Sequence, residues 1–148
     1  MLMEQRTINF FASLLKILEP APDLTIGEWA DEYRILSKES SAESGRWSTD
    51  RTPYMKEIYN CLTDTQTESI TIKASSQTGK SEMLLNVLGR YMHLDPCSIL
   101  FVQPTVEDAK SFSKERVEPM IRDTKVLRDL VKKANKKALE FVFSDTGF

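Results

Sequence analysis

Histidine is nearly absent from this chain, and with it the patterns on which much metal and relay chemistry depends. The 148 residues hold one histidine, His93, two cysteines, Cys61 and Cys97, and five glycines. A histidine-based metal site or a Ser–His relay therefore has little to work with. The cysteines show no metal-ligand spacing and lie in or beside apolar stretches, which predicts two small buried hydrophobes in a reducing compartment. No apolar run approaches the ~20 residues of a membrane span. The stretch Ile8 to Leu18 is apolar but contains Lys16, and the Glu-Pro-Ala-Pro after it is not a secretory cleavage pattern. The expectation is a protein of the cell interior. A net charge of −2 gives no general bias toward nucleic acid. With 41% hydrophobic and 28% charged residues, the composition is that of a globular domain large enough to bury a core.

Against that background, Ala74-Ser75-Ser76-Gln77-Thr78-Gly79-Lys80-Ser81 carries the chemistry. It reads as a phosphate-binding loop. Gly79 permits a tight turn, so that successive N–H groups point at one anion. Lys80 reaches β- and γ-phosphate oxygens, Ser81 offers a hydroxyl to Mg²⁺, and the helix that starts here adds its positive end. The pattern G-x-x-x-x-G-K-[ST] expects glycine where this chain has Ala74. The flanks supply the context. Glu68 to Ala74 alternates polar and apolar residues, with β-branched side chains, as a strand does. Met83, Leu84, Leu85, Val87, Leu88, Tyr91 and Met92 then fall on one broad helix face, stopped by Asp95-Pro96. Ser98 to Val102 reads as a second buried strand, completing a βαβ unit. The competing reading is a chance Gly-Lys-Ser at an ordinary helix start.

Elsewhere, Ile8 to Leu18 predicts a short amphipathic helix set apart by Pro20 and Pro22, either packed on the domain or docking a partner. Thr25-Ile-Gly-Glu28 has the form of a capping box. It opens a helix carrying Trp29, Ala30 and Tyr33, with Ile35 at its far end. The serine-rich Ser37 to Gly45 predicts a loop, and Pro53 the first turn of a helix with Tyr54, Met55, Ile58, Tyr59 and Leu62. Gln103-Pro104-Thr105 leads into another helix, with Val106, Ala109, Phe112, Val117, Met120 and Ile121 toward the core. Lys125, Arg128, Lys132, Lys133, Lys136 and Lys137 crowd one helical segment against Asp129 alone. That segment is a solvated face or a contact for nucleic-acid phosphates. Leu139 to Phe143 predicts a third strand. His93, at the end of the helix after the loop, reads as a capping or surface residue.

Four segments, taken in order, resemble one family. They are Leu24-Thr-Ile-Gly-Glu-Trp29-Ala-Asp-Glu-Tyr33-Arg-Ile-Leu36, Trp47-Ser-Thr-Asp-Arg51-Thr-Pro-Tyr54, the loop itself, and Val102-Gln-Pro-Thr105 through Glu115-Arg116-Val-Glu-Pro119-Met-Ile121. Together they resemble the N-terminal ATPase region of the large terminase subunit of tailed phages, of the lambda-like GpA type, over roughly residues 24 to 130. The resemblance implies a P-loop NTPase-like, three-layer α/β domain with an incomplete, mostly parallel sheet and helices on both faces. Residues 1–23 would be an N-terminal helix and docking segment, and residues 24–148 part of the ATPase domain. It implies ATP and Mg²⁺ as cofactors, in a motor and nuclease that cuts concatemeric phage DNA and packs it into the head. Gly79, Lys80 and Ser81 take the phosphate and magnesium roles, Ser76, Gln77 and Thr78 supply loop donors, and Tyr54 lies near adenine. The resemblance also implies that Gln103-Pro104-Thr105, the segment after the second strand, approaches DNA or couples to the nucleotide site. Core packing is the plain alternative for Tyr54, and a helix cap for Thr105.

The implied partners are double-stranded DNA, a small terminase subunit at the N-terminal helix and, for the full-length protein, the portal, all in the bacterial host's cytoplasm. The chain departs from the family pattern in having no arginine at Ser76 or Gln77. It also lacks an apolar strand closing in Asp-Glu, Phe141-Val-Phe-Ser-Asp145 being the nearest, and the acidic nuclease cluster. The expectation is the nucleotide-binding part of a longer motor. A small P-loop kinase, with Arg116, Arg122 and Arg128 as lid arginines, and a non-catalytic interaction module remain the alternatives.

Overall fold

Thr25 and Glu28 cap the first helix as their spacing predicts. In the computed structural model, which describes Phe11, residues 22–38 and residues 44–133, the Glu28 N–H donates to Thr25 Oγ1 at 3.3 Å and the Thr25 N–H to Glu28 Oε2 at 2.9 Å. The Thr25 N–H and the Thr25 hydroxyl, which donates to the same Glu28 Oε2 at 2.8 Å, hold the Glu28 carboxyl below its ordinary range. Helix α1 (Ile26–Tyr33) buries Ile26, Trp29 and Ala30. Its far end is met by Arg46, which donates from Nε to Asp31 O at 2.9 Å and from Nη2 to Glu32 O at 3.1 Å. A cation thus sits on the negative end of the helix dipole.

After α1 the chain forms β1 (Ile35–Leu36), which pairs antiparallel with β2 (Gly45–Arg46), Ile35 opposite Arg46 and Leu36 opposite Gly45. Ile35, expected at the end of the helix, is in a strand because Arg34 turns to extended backbone. A 3₁₀ turn (Thr49–Arg51) leads to α2 (Met55–Thr63), and α3 (Lys80–Leu94) follows the loop. Next come α4 (Val106–Phe112), a π-helical turn (Ser113–Val117), α5 (Glu118–Asp123) and α6 (Lys125–Lys133). The π turn has a local cause. Pro119 has no N–H to donate and its ring clashes with a carbonyl four residues back. The helix widens just before it, with the Glu118 N–H reaching Ser113 O.

The main core gathers Trp29 and Ala30 of α1, Leu36, Trp47, Leu85 of α3, Val117, Met120 and Leu127. A second cluster, Ile26, Met55, Tyr59 and Met83, lies where α2 and α3 begin. The helices α1 and α3 meet closely at Gly89, where an added Cβ would lie 2.2 Å from Trp29 Cη2. The indole is held from its other edge, donating from Nε1 to His93 Nδ1 at 3.1 Å. His93, expected at the surface or a cap, is instead a half-buried hydrogen-bond acceptor.

That placement makes stability pH-dependent. Desolvation lowers the His93 pKa from the ordinary 6.5, with Glu32 opposing weakly. The unfolded chain binds a proton near 6.5 that the folded chain resists. The His93 contribution is therefore complete above that pH and is lost as pH falls through it toward the lower folded value. Urea midpoints at pH 7.5 and 5.5 should show the loss, and His93→Gln should remove that slope. Equal midpoints in the unaltered chain would contradict it.

Three expectations are corrected. The segments 68–74 and 98–102 form no ladder, and the sheet among the described residues is the antiparallel β1–β2 pair rather than a mostly parallel one. A strand needs a neighbour for its N–H and C=O groups and cover for its apolar face. Neither segment finds a strand partner among the described residues, so Leu100 and Val102 stand 88% and 77% exposed. Phe101 does stack on Phe112, ring centroids 4.6 Å apart. The apolar face read for α3 holds at Met83 and Leu85, with Val87, Leu88 and Met92 packed on the two clusters, but Leu84 is exposed and Asn86, Gly89 and Arg90 are buried. Cys97 is exposed and Cys61 half-buried, so the expected pair of buried thiols is not found. The predicted helix at 8–18, apart from Phe11, and the predicted strand at 139–143 lie outside the described residues. Among the described residues no helix is long and apolar enough to cross a membrane.

Candidate nucleotide-phosphate site

The loop before α3 is shaped by two residues in left-handed backbone. Gln77 has φ +58° and Gly79 has φ +79°. For Gly79 this conformation carries no steric cost; for Gln77 it costs about 1–2 kcal/mol, which the surrounding turn must hold. Helix α3 then begins at Lys80, its first turn closed by the Met83 N–H on Gly79 O at 2.9 Å. The amides at the head of such a helix have no intrahelical acceptor and point out of its end.

Inside the turn the loop bonds to itself. Thr78 Oγ1 donates to Ser75 O at 3.1 Å, and Lys80 Nζ donates to Ser75 O and to Ala74 O, the latter at 3.4 Å. The ammonium lies over the loop's own carbonyls. Ser76, Gln77 and Ser81 are exposed, and Thr78, Gly79 and Lys80 partly so. The head of α2 braces this turn from outside. Tyr54 Oη donates to Thr78 O at 3.1 Å, and Met55 Cε lies 3.6 Å from where a Gly79 Cβ would stand. Tyr54 is 56% exposed, so its ring borders the loop rather than the core. The donor set is a helix N-terminus, a left-handed turn and a lysine. That combination suits a phosphate chain. Among the described residues no three His, Cys, Asp or Glu side chains gather as a metal site.

Beneath the loop lies a polar network that the sequence reading missed. Arg34, only 2% exposed, donates from Nη2 to Glu82 Oε2 at 2.9 Å, from Nε to Asn86 Oδ1 at 3.2 Å and from Nη1 to Ile35 O at 2.7 Å. Asn86 donates in turn to Tyr59 Oη at 2.9 Å. Burial depresses the Arg34 pKa, with Glu82 opposing, and pushes the Tyr59 phenol up to about 12. The available signal was the spacing of Glu82, Asn86 and Arg90, which share one face of α3 at four-residue intervals.

The other predicted groups lie apart from the loop. Thr105 caps α4, accepting from the Asp108 N–H at 3.1 Å. Arg122 pairs with Asp123 at 2.9 Å, and Arg128 reaches Arg122 O at 3.3 Å, both beside the β1–β2 hairpin. Arg116 comes to α3, 3.7 Å from Glu82 Oε1. A lid of three arginines over the loop is not what this arrangement provides.

Residues 41–146, which include Tyr54, the loop, Glu82 and Arg116, match the family model described as phage terminase large subunit gpA, ATPase domain. The chain belongs to this terminase family. It is 35% identical over 117 residues to the large terminase subunit of Enterobacteria phage P21, covering 79% of this chain and 18% of that protein. To the large terminase subunit of Escherichia phage lambda it is 35% identical over 112 residues, covering 76% and 17%. The chain thus spans less than a fifth of the length of these terminase subunits. No solved structure matches it.

Proposed function

We propose that this chain is the ATP-binding part of a DNA-packaging terminase large subunit, holding Mg-ATP on the loop at Ser76 to Ser81. The observation that carries the reading is the left-handed Gly79 turn feeding Lys80 into the head of α3, within the region that matches the terminase ATPase family. Backbone N–H groups of Ser76, Gln77, Thr78 and Gly79 would surround the phosphates. Lys80 Nζ would exchange the Ala74 and Ser75 carbonyls for β- and γ-phosphate oxygens, and the Ser81 hydroxyl would join the coordination of Mg²⁺. The exposed Tyr54 ring, next to the loop, would stack on adenine.

The domain around this site would be P-loop NTPase-like. In the full-length protein, bound ATP would drive translocation and cleavage of double-stranded phage DNA in the host cytoplasm. The portal, and a small terminase subunit at the N-terminal segment, would be its partners.

Ligand that binds only the folded chain raises its stability by mass action, by about 2.7 kcal/mol at 100 times Kd. Mg-ATP should therefore raise the thermal midpoint of the unaltered chain, and Lys80→Ala should remove the rise while leaving the midpoint without nucleotide unchanged. Equal rises in both would refute the assignment of the site.

A further inference from the structure

Glu82 follows Ser81 directly and is the third residue of α3. A carboxylate there favours the helix dipole but repels an anion arriving at the helix end. Both of its oxygens are answered by arginine: Oε2 by Arg34 at 2.9 Å and Oε1 by Arg116 at 3.7 Å. The two arginines differ in kind. Arg34 is buried and bonded on three sides, so it holds one geometry. Arg116 is 40% exposed and stands in the π turn Ser113–Val117, in the helical stretch that Gln103-Pro104-Thr105 leads into.

We propose that Glu82 is a positioning residue for the phosphate loop, fixed by Arg34 and engaged by Arg116, so that the helical segment 106–123 and the loop hold each other in place. Arg34 sets the first turn of α3 against the end of α1, and with it the backbone that carries Lys80 and Ser81. Arg116 engages the second carboxylate oxygen and ties the loop to the π turn. Only the consequence for nucleotide affinity rests on the proposed function; the positioning itself is a property of the chain alone.

Three variants of the full chain, Arg116→Gln, Arg116→Lys and Glu82→Gln, separate these roles. The readouts are amide hydrogen exchange over residues 76–84, the thermal midpoint and Mg-ATP affinity. Arg116→Gln should speed exchange of the loop amides about three- to fivefold and weaken Mg-ATP by a similar factor, as loss of a partly exposed ion pair allows. Its thermal midpoint should stay within about 2 °C, since a partly exposed pair contributes little to global stability. Arg116→Lys should restore both readouts, and Glu82→Gln should also speed loop exchange. Unchanged loop exchange in Arg116→Gln and Glu82→Gln, or failure of lysine to rescue, would overturn the proposal. If the unaltered chain fails to bind Mg-ATP while loop exchange responds as stated, the nucleotide reading falls and the positioning stands. If nucleotide binds but neither exchange nor affinity responds, the positioning alone falls.

Discussion

Gly89→Ala should destabilise the chain by about 2–3 kcal/mol, the upper part of the range for overpacked cores. In an exposed helix the same change stabilises by about 1 kcal/mol. The reversal comes from Trp29, whose indole Cη2 would lie 2.2 Å and Cζ3 2.7 Å from the new methyl. The ring has no inexpensive way to retreat, because moving it breaks the Nε1 bond to His93 in a core with 0% exposure of Trp29. Gly27 is the control. A Cβ there meets Tyr59 Cδ2 at 3.3 Å, a contact that a small shift relieves. Urea denaturation followed by tryptophan fluorescence should show a large fall in midpoint for Gly89→Ala and a small change for Gly27→Ala. Similar midpoints for the two would mean that α1 and α3 do not pack as described.

Arg34→Ala should cost about 3–5 kcal/mol, the range for removing one partner of a buried ion pair. The loss exceeds that of one bond because Glu82, Asn86 Oδ1 and Ile35 O all lose a donor. Glu82 is left in its 17%-exposed position with Arg116 alone, at 3.7 Å. Much of the cost is a carboxylate left with one more distant, partly exposed partner, so removing that charge should recover part of it. The double variant Arg34→Met, Glu82→Gln should be more stable than Arg34→Met alone, a coupling that denaturant midpoints of the four-member cycle measure. Strict additivity would show that the pair does not interact in the folded chain.

Local chemistry was legible in the sequence. The Thr25–Glu28 box, the stop of α3 at Asp95-Pro96 and the turn at Gly79 each depend on residues within a few positions of one another. The strands were not legible in the same way. Glu68 to Ala74 and Ser98 to Val102 have the composition of strands, but a ladder is a property of two segments, and the pattern within one does not provide its neighbour. The inner face of α3 failed for a related reason. Hydrophobic periodicity favoured Leu84 over Asn86 and Arg90, because it assigns polar residues to solvent. Asn86 is buried because Arg34, 52 positions earlier, and Tyr59, 27 positions earlier, satisfy its amide. Likewise the contact of Tyr54 with the loop spans 24 positions, through a carbonyl that no side-chain pattern reveals.

The central claim is that the Gly79–Lys80–Ser81 turn holds the phosphates of Mg-ATP. Calorimetric titration of Mg-ATP into the full chain, with Lys80→Ala alongside, tests it most directly. The account predicts saturable binding by the unaltered chain at one site and loss of measurable heat in Lys80→Ala. Binding of equal strength by both chains, or none by a folded unaltered chain, would contradict it.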